Sequence, residues 1–340
     1  MNIEKIKIYN VRTRVPNNKT ISENRTNRLS HDATINFSSN DKVSFSSIDT
    51  LSQYQDSIYS KLSKVTNETD GKTKAHSLAK LYPNIFVDLT NRLRREQKYK
   101  LLLHTNKLGD SVAIYLAKFG NSYIDATRSL DKDQRLSLLK SCNELTKTPV
   151  AATLAWFNPE QYIEANRDFS TKEKFELLKF PGGNSYMVSR ELSGKSPQIY
   201  AKLVCDFTSE QIYELLSENS CGDYHTLEYL IRGGSETYLS ITSKLDLEQK
   251  TNLLTKKNDD GISVLANQIK ESADKTPYVE ILNDLPPEVK CKILQMKSGI
   301  KDLNILNLFL PENETNTDCF EALTSDLSDK QYLALCDSII

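Results

Sequence analysis

The residues best suited to chemistry in this sequence of 340 residues are two combinations of cysteine and histidine. A Cys–His pair within hydrogen-bond reach can form an activated thiolate nucleophile, and His104 and Cys142 occupy nearly equivalent positions of adjacent repeats. Packed helices lie about 8–10 Å apart, so these two side chains meet only with favourable rotamers. Cys221 and His225 are four residues apart, but a metal site needs further ligands that the sequence does not offer nearby. We therefore predict no catalytic residue, no cofactor and no metal.

The overall composition excludes several classes of protein. Lysine and arginine number 44 against 45 acidic residues, and this balance argues against a dedicated nucleic-acid binder. No apolar run approaches the roughly 18 residues of a membrane span, and the N-terminus lacks the apolar core of a signal peptide. The six cysteines are scattered singly, which favours reduced, packed thiols over a disulfide framework.

A repeated pattern positions these residues, because internal self-similarity at a fixed period indicates a repeat architecture. Position zero of the pattern is a large apolar residue that precedes a helix start. Successive copies are 37, 39, 38, 38, 40 and 42 residues apart. The position-zero residues are Leu93, Leu130, Phe169, Phe207, Leu245, Leu285 and Leu327.

Each unit of the pattern predicts two to three short helices. Capping-box sequences follow position zero at Asp131, Ser170, Thr208, Asp246 and Ser328. An apolar pair, such as Leu253/Leu254, stands eight and nine residues after position zero, and a turn that often contains glycine comes next. An aromatic residue lies seven residues before each position zero. These aromatic residues, the aromatic column below, are Phe86, Tyr123, Tyr162, Tyr200, Tyr238, Tyr278 and Phe320. One such unit cannot bury its apolar face alone, so neighbouring units must pack on each other.

The pattern divides the chain into four parts. Residues 1–47 carry 19 Ser, Thr or Asn and little apolar periodicity, which predicts a disordered leader with a role in secretion or chaperone binding as the alternative to a plain tail. Residues 48–92 are a divergent N-terminal capping unit, with a helix from Ile48, a polar loop from Val65 to Lys74 and a further helix. Residues 93–326 hold six repeats, and residues 327–340 supply a C-terminal capping helix.

The turn tips between the first two helices of each unit are the candidate partner-binding positions, because variable loops on one side of a repeat stack often form its binding face. A solvated edge is the alternative for each of them. These candidates are Asp110, Asn184, Tyr186, Asp223, Tyr224, His225, Asp259 and Asp260. Trp156-Phe157 could anchor a partner, but Phe119 stands at the equivalent place one unit earlier, so we expect these aromatic side chains to be packed.

The segment Lys257-Asn258-Asp259-Asp260-Gly261-Ile262-Ser263-Val264-Leu265-Ala266 resembles the Asp-x-x-Gly-x-Thr-x-Leu-x-x-Ala core of ankyrin repeats. Over residues 93–326 the repeat style is similar to the C-terminal repeats of bacterial type III secreted effectors of the enterotoxin and cysteine-protease group. The period is nearer 38 than 33, and no Thr-Pro-Leu-His occurs. The chain has no room for the catalytic domain of those effectors, so their protease activity is not carried over.

The sequence therefore predicts an all-α protein, an α-solenoid of ankyrin-like repeats behind a disordered leader. We expect a monomeric protein-binding module, and the resemblance implies a bacterial effector that is delivered into the host cytoplasm and binds a host protein. A secretion chaperone is a candidate partner of the leader. Two alternatives stay open: an enzyme, a transferase or hydrolase, with its site on the concave face, and an intracellular bacterial scaffold. No nucleic acid and no membrane span are expected.

Overall fold

The computed structural model describes residues 48–181, 187–218, 226–258, 260–301, 303–310 and 317–338. The regular secondary structure of this part of the chain is almost entirely helical, as expected, and each unit contributes a first, a second and a third helix in turn. The first helices are α1 Ile48–Ser63, α4 Arg95–Leu103, α7 Lys132–Lys140, α10 Thr171–Leu178, α13 Ser209–Ser217, α16 Leu247–Thr255, α19 Pro287–Gln295 and α21 Asp329–Asp337.

The second and third helices are shorter and complete the units. The second helices are α2 Lys74–Leu81, α5 Val112–Ala117, α8 Val150–Phe157, α11 Val188–Lys195, α14 Thr226–Arg232 and α17 Val264–Glu271, followed by a 3₁₀ helix at Leu306–Leu308. The third helices are α3 Pro83–Thr90, α6 Gly120–Thr127, α9 Pro159–Ala165, α12 Pro197–Val204, α15 Ser235–Thr242, α18 Thr276–Asn283 and α20 Thr317–Thr324.

Helices of one kind pack against the same kind in the next unit. The second helices pack in the sequence α2, α5, α8, α11, α14 and α17, and the third helices pack from α3 through to α20 in the same way. Within a unit the second helix packs on the third, as α8 does on α9. Each unit is therefore covered on both sides by its neighbours, which is what a unit too small for its own core requires.

The helix starts have the predicted local chemistry. Asp131, Ser170, Thr208, Asp246 and Ser328 each form a capping box, in which the side chain accepts from a backbone N–H three residues later. The partner Gln or Glu side chain reaches back to the backbone N–H of the capping residue. Two of the N–H groups that a helix start leaves without intrahelical partners are thus satisfied at each of these five positions.

The predicted apolar positions form the core. All six leucine or isoleucine pairs of the first helices are buried, including Leu138/Leu139 and Leu253/Leu254. Six residues of the aromatic column, from Phe86 to Tyr278, are buried, and Phe320 is half-buried. Since these aromatic residues sit on consecutive third helices, the column runs through the packing seam between units.

In several units a polar side chain of the first helix contacts the last residue of the same unit, and we call this contact the polar clasp. Lys98 donates to Ser129 Oγ at 2.8 Å, and in the last full unit Lys290 pairs with Asp326. Arg135–Asp168 and Lys250–Asp284 occupy the same positions. In the unit that begins at Phe207 the last residue supplies the cation instead. Lys244 donates to the carbonyl oxygen of Phe207 at 3.2 Å.

The N-terminal unit departs from the sequence expectation at one place. The segment Val65 to Lys74, predicted as a polar loop, contains two short antiparallel strands, β1 Val65–Asn67 and β2 Lys72–Thr73. Gly71 lies between them with a φ of 67°, which allows the tight reversal. The loop is therefore a small hairpin of the kind that later units also contain. None of the helices in the described ranges is long and apolar enough to cross a membrane.

Candidate functional site

A row of hairpins forms one edge of the repeat units. In four units a single β-bridge pairs the second residue after the first helix with a residue just before the second helix or, in the last of the four, before the 3₁₀ helix. These bridges are Thr105–Ser111, Cys142–Pro149, Lys257–Ser263 and Lys297–Asn304. In three hairpins an asparagine side chain holds the turn, since Oδ1 of Asn106, Asn143 or Asn258 accepts two backbone N–H bonds. In the described ranges these turns are thus hairpins, and we call their row the hairpin edge.

Consecutive hairpins are joined by backbone hydrogen bonds. Lys107 N donates to Asp70 O at 2.8 Å, and Glu144 N donates to Gly109 O at 3.2 Å. Near the other end, Ser263 N donates to Ser298 O at 3.0 Å. Gly109 has a φ of 74°, and a Cβ there would lie 2.6 Å from the Glu144 nitrogen, so glycine permits both the turn and the close approach.

Asp110, one of the predicted partner-binding residues, lies inside this network. Its carboxylate accepts from Tyr115 Oη at 2.9 Å and from Asn143 Nδ2, in the next hairpin, at 2.6 Å. Burial, together with the hydrogen bond to Asp110, raises the pKa of Tyr115 to about 12. Both carboxylate oxygens therefore accept hydrogen bonds within the protein, and the structural role of Asp110 is to join two units.

A buried histidine supports the same junction, and the sequence analysis did not single it out. His76 Nδ1 accepts from the backbone N–H of Thr73 at 3.2 Å, so the proton must sit on Nε2, which donates to the carbonyl oxygen of Asp110 at 3.1 Å. Burial lowers the pKa of His76 below its ordinary value of 6.5. The signal that could have revealed it is the spacing Thr73-x-x-His76 at a helix start.

The remaining predicted partner-binding residues divide into two groups. Asp260 is exposed at a hairpin tip, where its N–H donates to Asn258 Oδ1 at 3.1 Å. Six others lie outside the described residues: Asn184, Tyr186, Asp223, Tyr224, His225 and Asp259. The partner-binding role of the tips stays a prediction.

The cysteine–histidine chemistry finds no support in the described geometry. The His104 ring lies edge-on to His76 with centroids 5.7 Å apart, and Cys142 Sγ is 3.4 Å from the carbonyl oxygen of Lys140. Burial raises the pKa of the Cys142 thiol, which disfavours the reactive thiolate. Cys221 and His225 lie outside the described residues. Within the described ranges, no three His, Cys, Asp or Glu side chains cluster as metal ligands would.

The expectation that Trp156-Phe157 and Phe119 are packed is wrong. Trp156 and Phe119 are each 40% exposed and Phe157 is 52% exposed, because they sit where a second helix ends and a third begins. At the equivalent turn of the first unit Leu81, Tyr82 and Ile85 are 63%, 53% and 48% exposed. We call these six side chains the aromatic ridge.

Polar contacts fix the aromatic ridge between neighbouring units. Asn158 Nδ2 donates to the carbonyl oxygen of Ala117 at 2.9 Å and so links the turn of one unit to the turn before it. Lys118 Nζ lies 5.8 Å from the centroid of the Phe157 ring, and Lys195 Nζ lies 5.7 Å from that of Trp156. The ridge is thus a second ordered edge, built from aromatic rings and ammonium groups.

No protein-family model matches this chain, and no curated protein matches its sequence.

Proposed function

We propose that the described residues form a solenoid of ankyrin-like units that binds other proteins through the hairpin edge. The observation that carries this proposal is the backbone linkage of successive hairpins, such as Glu144 N to Gly109 O. It holds the tips in a fixed row, so a partner can bind several units at once without first ordering mobile loops. Binding to an ordered surface avoids part of the entropy cost of association.

Two features of single units support the ankyrin-like part of the proposal. The ankyrin signature begins Thr-Pro-Leu-His at the start of a helix. Thr73 and His76 have the same spacing at the start of α2, and the two side chains lie within hydrogen-bond distance at 2.8 Å. At the second place, Gly261 adopts a φ of 75° directly after the exposed Asp260 in a hairpin. The longer period comes from an additional helix in each unit.

In the more specific form of this proposal, the protein is a bacterial effector that acts in a host cell. The support is the resemblance of the repeats to those of type III secreted effectors, together with the Ser-, Thr- and Asn-rich composition of residues 1–47. Fusing residues 1–47 to a reporter enzyme tests the export step directly. Secretion of the reporter by a strain with a functional type III apparatus, and its retention in an apparatus-deficient strain, is the expected result.

The binding function is tested with charge reversals at the tips in the full-length protein. We expect the wild type to capture a small set of proteins from host-cell lysate, measured by quantitative mass spectrometry. Substitution of Asp259 and Asp260 by lysine should deplete that set. Glu248→Lys, an exposed position at the start of α16 and away from both the hairpin edge and the aromatic ridge, is the matched control and should leave capture unchanged. Equal capture by all three proteins would contradict binding through the hairpin edge.

A further inference from the structure

We propose that the aromatic ridge is a second binding surface, and that its partner is a protein segment in which large apolar side chains stand next to carboxylates. The ridge lies at the far ends of the second helices, whose near ends begin at the hairpins. A helix of six to eight residues spans about 9–12 Å. The ridge is therefore a separate surface from the hairpin edge, and this inference does not rest on the function proposed for that edge.

The apolar part of the argument is the concentration of exposed rings in three successive units. Single exposed apolar side chains are ordinary on a protein surface, but contiguous exposed patches mark interaction sites. Here Tyr82, Phe119, Trp156 and Phe157 belong to turns of three neighbouring units whose helices pack in series. Tryptophan and tyrosine are enriched among the residues that dominate protein–protein binding energies.

Close packing fixes the two turns that carry Phe119 and Phe157 against each other. A Cβ at Gly120, directly after Phe119, would lie 2.7 Å from the side chain of Asn158, directly after Phe157. The backbone of Gly120 therefore packs against the side chain of Asn158 at a distance that leaves no room for a Cβ. The hydrogen bond from Asn158 to Ala117 adds a second tie. A partner thus meets a surface whose aromatic residues are already positioned, which lowers the entropy cost of binding.

The charge along the ridge selects the partner. Lys80, Lys118 and Lys195 are exposed where the second helices end, beside the rings. Among the described residues none of these lysines forms an ion pair with a carboxylate, whereas Lys132 and Lys250 elsewhere do. An ammonium over a ring face stays solvated on its other side, so Lys118 and Lys195 can each receive a carboxylate while the rings contact apolar groups.

The side of the ridge that the third helices form carries carboxylates, and these favour a protein segment over a lipid surface as the partner. Asp88 and Glu160 are exposed on this border, and a shallow depression between α6 and α9 is lined by Asn121, Asp125, Glu160 and Gln161, among others. Arg128 also lines this depression and pairs with Asp125, whereas Asp88 and Glu160 form no ion pair among the described residues. These two carboxylates would repel anionic lipid headgroups. A peptide can place its carboxylates toward the lysines, while the side-chain amides hydrogen-bond to its backbone.

The test uses the full-length protein and a library of short random peptides displayed on phage. Peptides are selected on the wild type and counter-selected on the double variant Phe157→Ser/Lys195→Glu. We expect the enriched sequences to combine an excess of Asp and Glu with at least two large apolar residues. An absence of ridge-dependent enrichment, or enrichment of basic peptides, would overturn the proposal.

Trp156 then reports binding at the site itself, because it is the one tryptophan in the sequence. A synthetic enriched peptide should shift its emission to shorter wavelength, and Lys118→Glu/Lys195→Glu should weaken binding about tenfold or more. Leu333→Ser and Lys202→Glu change exposed residues away from the ridge and should bind like the wild type. If vesicles of phosphatidylcholine and phosphatidylserine shift the emission and the peptide does not, the ridge binds membranes and the proposal is wrong.

Discussion

The aromatic column and the hairpin edge both join neighbouring units, but they do so by different physical means. The column uses an aromatic residue at one repeated position, and its members are buried in six successive units and half-buried in the last. The hairpin edge uses directed hydrogen bonds whose partners change between units, as Asp110–Asn143 and Ser263–Ser298 illustrate. Apolar burial is non-directional and tolerates small shifts between units, whereas hydrogen bonds fix the distance and the angle. The column therefore supplies most of the cohesion, and the hairpin edge sets the alignment.

Burial in the column deprives several tyrosine hydroxyls of hydrogen bonds, a loss of stability that the hairpin edge does not have. The hydroxyl groups of Tyr123, Tyr162, Tyr200 and Tyr238 are buried and have no hydrogen-bond partner among the described residues. Burial raises the pKa of each of these phenols, so the groups stay neutral at any physiological pH. The large buried area of each ring outweighs the lost hydrogen bond of its hydroxyl, because burial of an aromatic residue contributes more than an unsatisfied hydroxyl removes.

Removal of one ring from the column should have the largest effect on stability. Tyr162→Ala takes away a fully buried side chain and leaves a cavity, so we expect a loss of about 3–5 kcal/mol in the free energy of unfolding. Chemical denaturation followed by circular dichroism measures it. Leu145→Ala removes a side chain that is 68% exposed and should change stability by less than about 0.5 kcal/mol. Similar losses for the two variants would refute the role of the column.

The next largest effect comes from alanine substitutions at two glycines, which distinguish the strain of the turn from the contact between hairpins. Gly109 and Gly261 have nearly the same φ, 74° and 75°, but a Cβ on Gly261 would meet nothing within 4 Å. Gly261→Ala should therefore cost only the strain of the left-handed conformation, about 1–2 kcal/mol. Gly109→Ala should cost about 1–3 kcal/mol more, because the added methyl group collides with the backbone of Glu144. Equal losses would mean that the close approach of the hairpins contributes nothing.

A position next to the column, four residues after Tyr162, should accept a stabilising change. Asn166 is fully buried and lies beside the Tyr162 hydroxyl, but neither polar atom of its side chain forms a well-aligned hydrogen bond among the described residues. The equivalent Thr127 donates to the carbonyl oxygen of Tyr123 at 2.8 Å. Asn166→Thr should restore this bond and raise the free energy of unfolding by about 1 kcal/mol. The reverse change, Thr127→Asn, should lower it by a similar amount, and a loss of stability in both variants would contradict the explanation.

The smallest effect is a pH dependence confined to the acid side. Because the pKa of His76 is lower in the folded protein, the unfolded chain binds a proton first as the pH falls below 6.5. Stability should therefore decrease from pH 6.5 downward, through the folded pKa, and His76 should contribute nothing to pH dependence above pH 7. The measurement compares thermal unfolding at several pH values for the wild type and His76→Gln. An equally steep acid decline in both proteins would show that other groups are responsible.

The sequence predicts the aromatic column better than it predicts the contacts of the hairpin edge. The capping boxes, the leucine pairs and the aromatic column depend on residues three to nine positions apart, so their periodicity identifies them in the sequence. The contact of Asp110 with Asn143 spans 33 residues and depends on how two turns face each other. Sequence spacing does not specify that orientation.

The exposure of Trp156 illustrates a different limit of sequence reasoning. The equivalence of Trp156 and Phe119 was correctly interpreted as a recurring position, but recurrence does not distinguish a core position from a surface one. An asparagine follows each of them by two residues, Asn158 at the boundary between α8 and α9 and Asn121 in the first turn of α6. This boundary between two helices is the signal that favours exposure. The hairpin between β1 and β2 was missed for a related reason, since its two strands are too short to show an alternating pattern.

The polar clasp has a consequence for how such a chain can change over evolutionary time. Its two halves, such as Lys290 and Asp326, belong to one unit, and so does the reversed arrangement of Lys244 with Phe207. A duplicated or transplanted unit would therefore keep the bonds within the unit, whichever unit came to precede it. Lys98 and Lys290 also donate to Asn91 and Asn283 in the preceding units, and these bonds would have to form with the new neighbour. Recombination at position zero thus preserves the bonds inside a unit and leaves only the contacts between units to be adapted.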